Sequence, residues 1–271
     1  MATTSRLSGW RRVANAIWRA PSDPQIYGAL DVDASAAQRF IEHARAAGHH
    51  LTPTHLAGRA LAHALKQVPD LNVRLVGGRA YPRPTVDVFF ITAVEGGHDL
   101  SGVKVVDLPA KSAAALAAEL GRRAGELKGG RDAEFSASKA ASDALPMPLL
   151  RLGVRLLAFA TETLQLEFGA LGLHASPFGS AMVSGVGMFG LPRGFAPLAW
   201  AYDVPVLVLV GEVAEQAVVV DGRVEARPVL PLAITVDHRY VDGWHLAAAL
   251  RALREYLAAP ARFEPALATG G

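Results

Sequence analysis

The sequence predicts an α/β fold built on one large hydrophobic core, and three observations carry that reading. Half of the chain is apolar, 51% of 271 residues with a mean hydropathy of +0.23, ample for one or two domains. Two nearly continuous apolar runs, Val86–Val94 and Pro205–Val213, have the length and composition of strands inside a sheet. Other segments carry apolar residues at helical spacing, as in Leu56, Ala57, Ala60, Leu61, Ala64, Leu65 and Val68.

The first strand is expected at Ile26–Asp33, where Ile26, Gly28, Leu30 and Val32 alternate with more polar neighbours. Ser35 and Gln38 have the spacing of a capping box, and Gly48 closes the helix they open. Thr52 caps the next helix, Pro53 fits its first turn and Pro69 stops it. His55, Arg59 and His63 recur every four residues on the side away from the leucines, so a solvated face is expected. No metal is expected there, although His49 and His50 lie close by.

Asn72–Val76 and residues 79–84 form a hairpin around Gly77 and Gly78, its second arm weakened by Pro82 and Pro84. Val86–Val94 is then a central strand, Val103–Val106 a short one, and Ser112 to about Lys128 a helix closed by Gly129 and Gly130. Residues 131–179 break this rhythm. Their apolar part, opened by Pro146 and Pro148 and interrupted by Arg151 and Arg155, is too short and too charged to span a membrane. It is expected to cover part of the fold, with an interfacial amphipathic helix as the alternative.

Ser180–Ser184 is a short strand running into Gly185, Gly187 and Gly190, a literal G-x-G-x-x-G. A dinucleotide fingerprint needs a helix to begin inside the motif, and Pro192, Gly194 and Pro197 forbid one, so no nicotinamide cofactor is expected. Val218–Val220 and Val224–Leu230 make a hairpin around Asp221-Gly222. Residues 261–271 read as a loose tail. Residues 1–21 lack acidic side chains and read as an amphipathic arm, with Leu7, Trp10, Ala14, Ile17 and Trp18, that docks on a neighbour; a transit peptide is the weaker reading.

Composition narrows the chemistry. The absence of cysteine excludes a disulfide framework, a catalytic thiol and thiolate metal sites, and fits a cytoplasmic protein. A net charge of +2 with scattered charges is no nucleic-acid footprint. The informative stretch is Leu232–Leu257, LAITVDHRYVDGWHLAAALRALREYL. Leu232, Ile234 and Val236 alternate as a strand, while Leu246, Leu250, Leu253 and Leu257 follow helical spacing. Between them His238 stands at a strand end with Asp242-Gly243 four residues on, where a general base and an orienting carboxylate can sit together. Residue by residue, Asp242 also reads as a helix N-cap, Arg239 as a surface charge and His245 as a residue of the wet face.

Together with Tyr27–Ser35, Leu51–Asn72, Val86–Ser112 and Ser180–Pro260, this stretch resembles the acyltransferase catalytic domain of 2-oxoacid dehydrogenase complexes, a family that shares fold and H-x-x-x-D-G signature with chloramphenicol acetyltransferases. The resemblance implies a chloramphenicol acetyltransferase-like two-layer sandwich over residues 22–260, a mixed sheet packed with helices, with the active site at a trimer interface. It implies acyl exchange between coenzyme A, as substrate, and a dihydrolipoyl thiol supplied in trans by a separate lipoyl-domain protein. His238 then acts as general base, Ser184 as the hydroxyl facing the tetrahedral intermediate, and Asp242 as a loop-fixing carboxylate paired with Arg19 or Arg239. No metal, nucleic acid or membrane span enters this reading.

Four departures qualify the resemblance. Gly185 stands where the family usually has Asn; no lipoyl or peripheral-subunit-binding domain precedes the domain; about 131–176 is inserted; and the short apolar ending that locks trimers into cages is missing, so a homotrimer is expected rather than a larger assembly. The competing expectations are acyl transfer from coenzyme A to a small-molecule hydroxyl or amine, and a non-catalytic trimeric assembly component.

Overall fold

In the computed structural model, residues 23–94, 99–128, 145–167, 175–199, 201 and 203–268 are described. The expected arm at 1–21, with Arg19, and residues 131–144 and 168–174 of the inserted stretch lie outside them. In chain order the elements are β1 (Gln25–Asp33), α1 (Ser35–Ala46), α2 (Pro53–Gln67), the hairpin β2 (Val73–Val76) and β3 (Arg79–Pro82), β4 (Val88–Val94), β5 (Asp99–Val105) and α3 (Ala113–Lys128). There follow α4 (Met147–Ala158), β6 (Ala181–Gly185), β7 (Val206–Val210), β8 (Ala214–Val220), β9 (Arg223–Asp237), α5 (Gly243–Ala258) and two short helices, α6 (Pro260–Phe263) and α7 (Pro265–Ala268).

Seven strands form one mixed sheet in the order β1-β9-β7-β6-β4-β5, with β8 paired to β9. β6 runs parallel to both β4 and β7, and the remaining pairs are antiparallel. Asp221 and Gly222, at φ 48° and 78°, make the expected tight turn between β8 and β9. β9 is longer than expected, because Pro228 and Pro231 do not interrupt it. Pro228 lies opposite Glu215 of β8, Pro231 opposite Asp31 of β1, and the Pro231 carbonyl accepts the Gly211 N–H at 2.9 Å.

Alternation along β7 explains its apolar run. Val206, Val208 and Val210 enter the main core with Leu56, Leu61, Ile234 and Leu253, while Leu207 and Leu209 join Met182 and Ala233 in a smaller cluster covered by Phe178, Val186 and Leu198. Helices thus cover one face of the sheet and irregular chain the other. β4 comes closest to α2 at Gly58, where a Cβ would lie 2.4 Å from the Phe90 ring.

Four local expectations are corrected. Ser35 does not cap α1; its N–H is accepted by the Asp33 carboxylate at 2.8 Å, and no side chain caps the helix. On α2, Thr52 caps as expected, with the His55 N–H at 3.4 Å and Thr52 N–H on His55 Nδ1 at 3.2 Å. The side away from the leucines is not solvated, however. Arg59 is 9% exposed, and the His63 ring packs 4.9 Å from Phe263. The cause is the third correction: the chain from 260 to 268 is no loose tail but folds over this face, bringing Glu264 to Arg59.

The fourth concerns the inserted stretch. α4 buries none of its side chains, leaving Leu149, Leu152 and Leu156 exposed, so it does not cover the core of its own chain. The following π-helical turn, Phe159–Thr163, returns to the domain and buries Thr161 and Glu162. Among the described residues no helix is long and apolar enough to cross a membrane, and no cluster of His, Asp and Glu could hold a metal ion. The G-x-G-x-x-G becomes a single 3₁₀ turn, Gly187–Phe189, stopped by Gly190 in the left-handed region.

Candidate active site

His238 follows the last residue of β9 and is exposed. Its backbone is fixed on both sides: His238 N–H donates to Pro24 O at 2.8 Å, Asp237 N–H to Pro205 O at 2.9 Å, and Tyr240 N–H to Asp237 O at 3.1 Å. Asp237 clamps Arg239 through paired contacts of 2.5 to 3.0 Å. Arg239 is therefore not the partner of Asp242. Asp242 caps α5 instead, accepting Trp244 N–H at 3.0 Å and His245 N–H at 3.4 Å. Its Oδ1 also lies 2.8 Å from His245 Nδ1, and this hydrogen bond is the main reason its carboxyl sits below the usual carboxylate range. In place of the expected arginine, Asp242 meets a histidine one turn along the same helix, with Asp70 3.8 Å from the other ring nitrogen.

Ser184 lies near the end of β6, between Ile91 of β4 and Leu209 of β7. Among the described residues neither its hydroxyl nor the His238 ring has a hydrogen-bond partner. The fold does not bring the two together within one chain. Leu209 stands opposite Ser184 and Ala233 opposite Leu209, and His238 is five residues beyond Ala233, about 17 Å at the rise of a strand.

Each end of the sheet has its own cavity. The one at the Gly185 end of β6, about 580 Å³, is lined by Thr52, Thr54, His55, Gly185, Met188 and Glu212 and not by Ser184. Gly185, the family departure, has a structural reason, since a Cβ there would sit 2.6 Å from Thr54 Oγ1. Burial holds the His55 pKa down at about 4, so its ring is neutral near neutrality, and because Nδ1 accepts the Thr52 N–H, Nε2 carries the proton. His55 lines this cavity, whereas its spacing with Arg59 and His63 had suggested only a solvated face. The cavity beside the His238 loop, about 380 Å³, is lined by Gln25, Leu198, Asp203, Asp237, Arg239 and Tyr240.

Behind this second cavity lies a buried polar group that the sequence did not announce. Tyr240 OH donates to Asp203 Oδ1 at 2.8 Å, and Arg83 donates to Asp203 O at 2.9 Å, Ser176 Oγ at 2.8 Å and Val73 O at 3.3 Å. Burial, reinforced by Asp203, raises the Tyr240 pKa and keeps its hydroxyl a donor. Glu162 is 5% exposed, and among the described residues neither carboxylate oxygen has a hydrogen-bond partner. Burial raises its pKa from 4.5 to about 7 against the pull of Arg83. A carboxyl whose pKa rises on folding stabilises the fold below its unfolded pKa, and that stability is lost as pH rises through about 7. Glu162→Gln is therefore expected to gain on the order of 3 kcal/mol over the native chain at pH 8 and little at pH 4.5, measured by urea unfolding at both pH values.

Residues 169–264 match the model of the 2-oxoacid dehydrogenases acyltransferase (catalytic domain) family. A dihydrolipoamide acetyltransferase of Azotobacter vinelandii, a structure concerned with a Ser, a His and an Asn in its catalytic mechanism, superposes with a TM-score of 0.65 at 21% identity, covering 89% of this chain and 84% of that one. This chain carries the fold of that acyltransferase catalytic domain. Two curated relatives of the acyltransferase family align over shorter stretches. A probable dihydrolipoyllysine-residue succinyltransferase component of the mitochondrial 2-oxoglutarate dehydrogenase complex of Schizosaccharomyces pombe is 34% identical over 107 residues, 39% of this chain and 23% of the relative. The dihydrolipoyllysine-residue acetyltransferase component of the Bacillus subtilis pyruvate dehydrogenase complex is 35% identical over 81 residues, 30% of this chain and 18% of the relative. The chain thus aligns with less than a quarter of the length of these curated acyltransferases.

Proposed function

We propose that the chain transfers an acyl group between coenzyme A and a dihydrolipoyl thiol carried by a separate lipoyl-bearing protein. The observation that carries this reading is the pair of unpartnered side chains, His238 and Ser184, at opposite ends of a sheet shared with dihydrolipoamide acyltransferases. The Azotobacter structure concerns a serine, a histidine and, four positions after the histidine, an asparagine. Ser184, His238 and Asp242 reproduce that set with aspartate in the asparagine's place.

A thiol with a pKa near 8.5 is only a few per cent ionised at neutral pH, and a neutral imidazole can remove its proton as it attacks. His238 takes that proton, and the sulfur forms a bond to the thioester carbonyl carbon. The oxyanion that develops is held by the Ser184 hydroxyl, a donor contributing on the order of 3 kcal/mol in such a position. Collapse re-forms the carbonyl and breaks the original carbon–sulfur bond, and the leaving thiolate recovers the proton from His238. Because the two side chains stand far apart within a chain, His238 of one subunit serves Ser184 of its neighbour in a trimer.

The test is turnover of acetyl-, succinyl- and branched acyl-CoA with dihydrolipoamide, followed as coenzyme A release, beside the same donors with alcohol and amine acceptors. Thiol-dependent turnover is expected. Turnover with the alcohol or amine alone would replace the acceptor, and none with any pair would remove the acyltransferase reading.

A further inference from the structure

Tyr240 and Asp203 are unexplained by the reading above, yet they sit where the His238 loop meets the body of the domain. The loop is held to the segment before β7 at two points, through Asp237 N–H on Pro205 O at 2.9 Å and through Tyr240 OH on Asp203 Oδ1 at 2.8 Å. Asp203 takes a left-handed φ of 45°, a conformation that is strained for a non-glycine residue and persists where its surroundings hold it. Arg83 supplies the hold. Its guanidinium donates to the Asp203 carbonyl at 2.9 Å and lies 4.0 Å from the carboxylate, while its other nitrogens reach Val73 O and Ser176 Oγ. At 8% exposed, Arg83 is a fixed stake rather than a surface charge.

Among the described residues the other hydrogen bonds of the loop are local or run through the backbone, and Val241 adds only non-directional packing in the main core. The clamp of Asp237 on Arg239 lies within three residues, and His238 N–H on Pro24 O fixes one peptide without fixing the direction of the turn. Tyr240 OH on Asp203 is the side-chain bond that joins the loop to a residue 37 positions away. We propose that Tyr240 and Asp203, staked by Arg83, are positioning residues that aim the His238 imidazole across the subunit boundary. This rests on the assignment of His238 as the base. The same stake touches Ser176 at the end of the inserted stretch, so the insertion and the loop share one anchor.

Positioning of a base to within an ångström is worth roughly 10- to 100-fold in rate. Tyr240→Phe removes the hydroxyl and keeps the ring, and is expected to lower kcat by about 10-fold with the KM for acyl-CoA nearly unchanged. Asp203→Ala is expected to lose at least as much. Asp203→Asn, whose amide oxygen still accepts from Tyr240, is expected to recover most of that loss. The second readout is the ring resonance of His238 in protein labelled at histidine, assigned by its disappearance in His238→Gln. It is expected to shift in Tyr240→Phe and Asp203→Ala and to return towards the native position in Asp203→Asn. Unchanged kcat and an unchanged resonance in folded Tyr240→Phe would overturn the proposal, as would a lower melting temperature with both unaltered. If the native protein turned over no acyl donor, the acyltransferase reading would fall, and the resonance comparison would still decide whether these residues orient His238.

Discussion

Replacing Glu264 by alanine is expected to cost about 3–5 kcal/mol of stability, because it strands a buried guanidinium. Glu264 is 3% exposed and satisfies three donors: Arg59 Nε at 2.6 Å, Ala113 N–H at 2.9 Å and Tyr256 OH at 2.5 Å. Arg59, 9% exposed, loses its one ion-pair partner among the described residues and keeps the Leu108 carbonyl at 2.6 Å once the carboxylate is gone. The loss falls on a junction of four elements, since Arg59 is on α2, Ala113 opens α3, Tyr256 is on α5 and Glu264 lies between α6 and α7. Glu264→Gln keeps one acceptor oxygen and the side-chain volume, so it should cost less than the alanine variant. Ending the chain at Ala259 should cost more, because the Phe263 ring stacked on Tyr256 at 4.7 Å is lost with it. Urea unfolding measures all three. A loss below about 1 kcal/mol for Glu264→Ala would mean that Arg59 reaches solvent in the native state and that the C-terminal segment is the loose tail its composition suggests.

That segment marks where reading the sequence stops. Features set by neighbours along the chain were legible: the Thr52 cap with Pro53, the Asp221-Gly222 turn, the alternation of β1, and Asp242 as the cap of α5. Features set by partners far along the chain were not. Arg59 and Glu264 are 205 residues apart, Arg83 and Ser176 93, and Asp203 and Tyr240 37, and no local pattern announces such pairs. The solvated face expected of α2 failed for the same reason, since charge at helical spacing says which residues share a side but not what later chain will cover it. Asp242 is the mixed case. Its carboxylate was read as needing an arginine, yet His245, three residues on, was always within reach as a capping-box partner. His238 and Asp242 came from a pattern of types and spacing, Ser184 only from the resemblance to a known family, and the fold contributes the fact that a single chain keeps Ser184 and His238 apart.

His238→Ala is expected to reduce acyl transfer by roughly 10²- to 10⁴-fold, the usual contribution of a positioned general base. Stability should change by less than about 0.5 kcal/mol, because the ring is exposed and makes no hydrogen bond among the described residues. That contrast separates a catalytic from a structural histidine, since a residue needed for the fold would move both. Ser184→Ala should be impaired as well, and the two variants together test where the site lies. If His238 and Ser184 act across a subunit boundary, a trimer containing both variants has interfaces where an intact histidine meets an intact serine. Random reassembly of equal amounts makes about one interface in four intact, so close to a quarter of native activity should return from two nearly inactive proteins. If the two residues served one site within a chain, every site would carry one lesion and mixing would restore nothing. The 17 Å or so between their rows favours restoration, because no rotamer of a histidine spans such a distance and the strands between them are paired residue by residue.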